Sequence, residues 1–360
     1  MSNFLEILSA AGGRMGSLNG HDCVLDFDDQ AAEFAALRDS FGVVDFNNRT
    51  QIELAGRDSA AFLHNLCTND IKSLTPGDGC EVFLTNVQGK IIGHGYVYRT
   101  SESCIYETIP SVGAELLSYF DRYLFREQVE LIDRSKDRAV LVIAGKGTLD
   151  VLNNLGLPVP AELFAHATGE LSPASGSSLP CAIRNADLVA EPCFQLSIPR
   201  KSIPIAWETL TAAGALPCGS LAWEQARILQ GTPVYDIDVT DENLPQEVDR
   251  NERTISFTKG CYIGQETVAR IDALGHVNKT LCKLQIDGRV PTAGEELYVT
   301  DDVEQKKVVG KLTSVAPWPD SAKREDETEW HAIGLGYVRR GSNMPGTNLA
   351  GEGFAAAVVR

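Results

Sequence analysis

The stretch FTKGCYIGQETVAR, residues 257–270, sets a cysteine between two glycines with a lysine, a glutamate and an arginine close by in sequence. Gly260 precedes Cys261 and Gly264 follows three residues later, so the backbone can turn tightly and leave the sulfur uncovered. Lys259 is close by, and a neighbouring cation favours the thiolate, which is the nucleophile, over the thiol. Gln265, Glu266 and Arg270 add polar groups at helical spacing. The chemistry expected is that of an accessible, activated thiol presented by a loop. The competing reading makes Cys261 a small buried hydrophobe, as most free cysteines are. Residue types alone leave both open.

Three other places carry weaker signals. Gly89, Gly93 and Gly95 punctuate a strand-like stretch with His94 between the last two, and glycines in a strand mark a bulge or the close approach of a ligand or backbone. Glu191 stands in the otherwise apolar segment ADLVAEPCFQLSIP. Facing a pocket, its carboxylate would accept two N–H donors from the edge of a planar heterocycle; ahead of Pro192, it reads equally as an exposed turn residue. Arg227 lies on the mostly apolar helix LAWEQARILQG, where an arginine pairs with a carboxylate that is either internal or a ligand's.

These residues must be held by a framework that the pattern outlines. Phe34, Leu37, Arg38 and Phe41 fall at helical spacing in residues 31–41, with Gly42 as a stop. Thr50–Leu54 alternates like a strand, and Asp58 is placed to cap a short helix burying Phe62 and Leu66. Strand-like runs Glu81–Thr85 and Lys90–Arg99 form a hairpin around Asn86-Val87-Gln88-Gly89. Helices are expected over 110–124, with Leu116, Leu117, Phe120 and Leu124 inward, over 148–155, from about 203 to Gly214, and over 221–229. Arg138–Ala144 reads as a buried strand and residues 171–180 as a loop. Beyond Gly275 the helical period stops. Short apolar runs separated by turn residues then predict a small all-β barrel or sandwich, with 317–330 an exposed charged loop. The division expected is an α+β body over 1–275 and a β-barrel domain over 276–360.

Composition bounds the function. At about 150 residues per domain, 360 residues give two or three folded units. Thirty-two basic against 49 acidic residues leave a net charge of −17, which repels phosphate backbones and anionic membranes. A nucleic-acid or membrane-surface role is therefore not expected. No apolar run approaches the ~20 residues of a membrane span, and MSNFLEILSA lacks the basic start of a secretory signal. Nine cysteines, odd in number and without C-x-x-C, argue against a disulfide framework or zinc site and for a reducing, cytoplasmic setting.

The motif KGCYIGQE at 259–266 resembles the signature of the YgfZ family, folate-binding proteins implicated in maturing or repairing iron–sulfur enzymes. That family shares its fold with the T-protein, the aminomethyltransferase of the glycine cleavage system. The resemblance runs through EFAALRDSFGVVD, FLHNLCTNDIKSLTPGDG, NVQGK, RYLFREQVEL, ARILQGTPVYDID and LPQEV, and into VGKLTSVAP and IGLGYVRR of the tail. It implies a three-lobed ring around a central tetrahydrofolate cavity. It further implies that Glu191 holds the pterin and Arg227 contacts the folate, although Asp187–Ala190 replaces the T-protein's Gly-Tyr-Thr-Gly. Cys261, flanked by Lys259, would be the working thiol, with iron–sulfur client or assembly proteins as partners. T-proteins carry an Asp-Asp pair where this chain has Gly93-His94, so the carboxylate that aminomethyl transfer needs is missing. An accessory folate-binding role is expected over a one-carbon transferase.

Overall fold

The computed structural model describes residues 2–174, 176–189, 192–300, 307–318 and 331–359. Two sheets and a barrel organise it. The five-stranded antiparallel sheet runs in the order Gly79–Thr85, Ile91–Arg99, Ser103–Pro110, Arg49–Ala55, Glu130–Asp133. The six-stranded sheet runs His166–Leu171, Leu179–Ala186, Cys193–Pro199, Arg138–Ala144, Gly42–Asp45, Leu216–Cys218, with only its last pair parallel. The chain crosses between the sheets within four residues, from Gly42–Asp45 to Arg49–Ala55, so the whole five-stranded sheet, Arg49 to Asp133, is inserted between the first and second strands of the six-stranded one. The expected barrel-or-sandwich tail resolves to a closed six-stranded barrel built from strands between Lys279 and Val359. Residues 319–330 of the expected charged loop lie outside the described residues.

The helices form where spacing and caps agree. Helix Gln30–Asp39 starts where the Asp29 carboxylate accepts from Ala32 N–H at 2.9 Å, and it buries Phe34 and Leu37 completely. Phe34 meets Trp318 edge-on at 5.3 Å, so the core of this helix continues to the barrel edge. Two expectations shift. The helix foreseen over 110–124 spans Gly113–Arg122, because Pro110 is the last residue of a strand, where its missing N–H leaves no gap in the ladder. Asp58 does not cap its own helix; its carboxylate accepts from Gln128 N–H at 2.8 Å.

Between the sheets lies a polar seam. Arg184 donates to Glu107, Gln195 donates to Glu107 at 2.7 Å, and Tyr98 O–H donates to Gln195 at 2.9 Å. The Arg184 guanidinium stacks over the Tyr98 ring at 4.2 Å. Every member of this network is fully buried or nearly so. Such pairing is what permits charge at the centre of a fold, since an uncompensated buried ion costs several kcal/mol.

Candidate functional site: a loop thiol and a cavity between the sheets

Cys261 is exposed, and it is the one exposed cysteine among the described residues; seven others are buried and Cys23 is intermediate. The buried-hydrophobe reading is thereby set aside. Its loop is fixed at both ends. On one side the Lys259 ammonium donates to the carbonyls of His64, Cys67 and Asn69 at 2.5, 2.6 and 2.7 Å, and lies 4.9 Å over the Tyr262 ring. On the other side Ile263 N–H donates to Asn65 O at 3.1 Å, and Thr85 O–H donates to Ile263 O. Gly264 and Gly89 then pass back to back. Both have positive φ, +83° and +78°, and a Cβ on Gly264 would meet Gly89 Cα at 2.8 Å and the Asn86 carbonyl more closely still. The Cys261 loop and the hairpin turn are thus one packed unit.

The geometry revises Lys259. Its side chain is buried, and its three N–H donors go to the last carbonyl of the short helix Ser59–His64 and to two carbonyls of the segment that follows, Cys67 and Asn69. Burial pushes the ammonium down to about 8, with Cys67 and Asp70 acting the other way. Lys259 is an anchor for the loop, not a free charge beside the sulfur.

A cavity of about 360 Å³ lies beside the seam, lined by Asp45, Phe46, Arg49, Trp223, Glu224 and Tyr235 among others. It shares Cys23, Asp45, Asn48 and Ser220 with a second cavity of about 470 Å³, into which Arg200 and Lys201 face. Phe46 packs edge-on against Trp223 at 4.4 Å, and the Arg49 guanidinium sits 5.6 Å from the Phe46 ring centre. Arg49 Nε is buried, makes no hydrogen bond, and lies 3.9 Å from the Glu107 carboxylate, with which it forms an ion pair. Aromatic walls, a guanidinium whose Nε makes no hydrogen bond, and this volume suit a planar heterocycle with an anionic tail, and so fit a folate. Neither Arg49 nor Tyr235 stands out in the sequence: Arg49 breaks no periodicity, and Tyr235 lies in ARILQGTPVYDID, a segment that carried the resemblance but no chemistry of its own.

Of the two expected folate contacts, Glu191 lies outside the described residues. Arg227 has a different job. Its five N–H donors reach Glu224 at 2.8 and 2.5 Å, Asp238 at 2.9 Å, Thr232 O at 3.2 Å and Ser314 at 2.9 Å, and the residue is fully buried. It ties helix Ser220–Gln230 to the barrel strand Val308–Pro317 and has no donor left for a ligand. The helix shows the cavity Trp223 and Glu224 instead.

The Gly93-His94 pair divides between the two faces of its strand, as successive strand residues do. Gly93 lines a side pocket of about 150 Å³ that shares Tyr235 with the main cavity. His94 is absent from that lining and is buried against Glu81, with Nε2 2.7 Å from Oε1. Arg250 completes this cluster with a two-pronged contact to Glu81 at 2.7 and 2.9 Å. Burial alone would raise the Glu81 carboxyl, yet Arg250 and His94 hold it down at about 2. His94 is therefore held in a buried ion cluster and is not presented to the pocket.

Comparison with known proteins agrees with this architecture. The model of the GCVT N-terminal domain family matches residues 4–259. An Arabidopsis thaliana protein, provisionally named a chloroplastic transferase, is 28% identical over 358 residues, covering 99% of this chain and 78% of that one. An aminomethyltransferase of Streptomyces avermitilis is 26% identical over 346 residues, covering 93% of this chain and 88% of that one. The crystal structure of the glycine cleavage system aminomethyltransferase T from Bartonella henselae superposes with a TM-score of 0.84 at 18% identity, over 99% of this chain and 96% of that one. The fold is that of the T-protein.

Proposed function

The chain belongs to the GCVT N-terminal domain family, within the aminomethyltransferase-like folate-binding superfamily, and on that premise we propose that it is a tetrahydrofolate-binding accessory protein of the YgfZ branch. In this reading it supports the assembly or repair of iron–sulfur enzymes through Cys261. The observation that carries the reading is the fixed, exposed thiol of the KGCYIGQE loop, in a chain whose other described cysteines are buried apart from the half-buried Cys23.

Each part of the molecule has a task in this reading. Arg49 and the Phe46, Trp223 and Tyr235 rings hold the folate, and Glu191 takes the pterin-anchoring role that the family resemblance implies. Bound tetrahydrofolate supplies one-carbon chemistry or a reduced heterocycle. Lys259 and the Gly89–Gly264 contact hold the loop so that the sulfur stays presented. One cysteine provides one of the four thiolates that a cluster takes, so Cys261 engages a partner's cluster or sulfur transiently. The partner is an iron–sulfur client or assembly protein, met in a reducing compartment.

Two measurements test this. Calorimetric titration with 5-formyltetrahydrofolate should show binding that weakens at least tenfold in Glu191→Gln and in Arg49→Met; no binding at millimolar folate removes the folate half. In cells lacking the protein, Cys261→Ala should bind folate normally and fail to restore iron–sulfur enzyme activity. Full rescue by that variant removes the thiol half.

A further inference from the structure

A groove of about 580 Å³ separates the barrel from residues 237–243 and shares only Ile237 with the main cavity. One wall is the outer face of three neighbouring barrel strands, Lys279–Gly288, Ala332–Arg339 and Val308–Pro317. Register gathers positive charge on it. Lys279 stands directly opposite Arg339, and Lys311 directly opposite Tyr337. Tyr337 and Arg339 are two residues apart on one strand, while Val338 between them packs into the barrel core. All four side chains therefore share the outer face and line the groove. Like charges directly opposite each other destabilise a strand pair. Lys279 is partly compensated, with its ammonium 4.7 Å over the Tyr337 ring and 3.9 Å from Glu247. The side chains of Lys311 and Arg339 are exposed and make no hydrogen bond or ion pair among the described residues.

The carboxylates of the lining leave this charge unbalanced. Asp238 is held by Arg227 and by the hydroxyls of Thr313 and Ser314. Glu296 faces Lys311 in the register, yet its carboxylate accepts from Tyr298 O–H at 2.9 Å and makes no ion pair with that lysine. With Asp238 neutralised, three cations of the lining outnumber Glu296 and Glu242, in a chain whose net charge is −17. Tyr337 is buried, and its hydroxyl has no hydrogen-bond partner among the described residues. Burial, with Glu247 and Asp238 nearby, raises its ionisation well above the ordinary range, so it stays a neutral donor. A buried donor without a partner is costly, and a ligand oxygen would satisfy it.

We propose that this groove binds the phosphoryl group of a small phosphate monoester, held by Lys279, Lys311, Arg339 and the Tyr337 hydroxyl. The Arg339 fork matches two oxygens of one anion, and the two ammonium groups act as point charges on a dianion. The chain's overall negative charge does not oppose this at close range. The Debye length at physiological salt is about 8 Å, so an anion in the groove feels these neighbours and not the distant carboxylates. Ile237, Ala293 and Gly294 offer neutral surface to the ester's carbon skeleton, and the volume exceeds what phosphate alone fills.

The test uses the full-length protein without folate, at constant ionic strength, so its outcome is independent of the folate reading. Glycerol 3-phosphate, glycerol and succinate are titrated by NMR, with the backbone amide shifts of residues 308–313 and 337–339 as the readout. Glycerol 3-phosphate should saturate those shifts at concentrations at least tenfold lower than succinate, and glycerol should leave them unmoved. Arg339→Gln and Lys311→Gln, both at exposed positions, should each weaken binding several-fold. Lys136→Gln, at an exposed position outside the groove, should leave it unchanged. Tyr337→Phe separates a ligand contact from a structural one. The hydroxyl has no partner to lose in the free protein, so the thermal midpoint should not fall while affinity drops several-fold. No saturable shift at millimolar glycerol 3-phosphate, succinate binding as tightly, or undiminished affinity in Arg339→Gln or Lys311→Gln would each overturn the proposal. Equal weakening by Lys136→Gln would do the same, since it would mark ions scattered over the surface.

Discussion

Replacing Arg227 by methionine separates a ligand-binding arginine from a structural one. The substitution keeps the aliphatic stem and removes a guanidinium that makes five hydrogen bonds, three of them to carboxylates. Summing five contacts would overstate the loss, because Glu224 is partly exposed and can turn to water. Asp238 cannot. Its side chain is fully buried, and after the change it keeps only Val234 N–H at 3.0 Å and the hydroxyls of Thr313 and Ser314, both at 2.6 Å. Removing one partner of such a pair costs about 3–5 kcal/mol. That is a large part of the ~5–15 kcal/mol that holds a folded protein together. Urea denaturation followed by tryptophan fluorescence should show the midpoint falling by that energy divided by the wild-type slope. Folate affinity, measured at low temperature where the variant is folded, should change less than threefold. A variant as stable as wild type whose folate affinity drops a hundredfold would refute this account and return Arg227 to the ligand.

Two further outcomes follow from the same geometry. The Glu81 carboxyl titrates near 2 in the fold against an ordinary value of 4.5, so the stability it contributes is complete above about 4.5 and disappears as pH falls through 2. At 1.36 kcal/mol per unit this amounts to about 3 kcal/mol, and urea midpoints from pH 5 to 2.5 should decline more steeply in wild type than in Glu81→Gln. Gly264→Ala forces a side chain into positive φ and against the backbone of residues 86–89, which costs at least ~2 kcal/mol locally. Hydrogen exchange should show the hairpin turn and Cys261 loop opening together in that variant; faster exchange confined to the loop would contradict their joint packing.

Where the pattern repeated, the sequence was legible. The helix carrying Phe34 and Leu37, the glycine-turned hairpin and the tail of short strands all bury side chains at a fixed period, and all three are present. What escaped depends on partners far along the chain. An arginine on an apolar helix demands a carboxylate, and only the fold shows that one of those it found is Asp238, in the loop leading toward the barrel. Lys259 was legible as a cation near a thiol, while its three carbonyl partners lie some 190 residues upstream. The pterin contact expected of Glu191 stays tied to the family resemblance, since that residue lies outside the described residues. Arg49 carries no local mark, and it becomes a candidate only once the fold encloses a space around it.

The back-to-back passage of Gly89 and Gly264 has a thermodynamic corollary. Leu84 and Gly93, on the two strands of the hairpin, line the side pocket, and the turn joining those strands carries the Cys261 loop. Any ligand that alters the free energy of the hairpin therefore alters that of the loop, and the dependence is reciprocal by linkage. If occupancy of the pocket strengthens a partner's hold on Cys261 by some factor, engagement of Cys261 must strengthen the pocket's affinity by the same factor. Whatever coupling exists there passes through two residues that have no side chains.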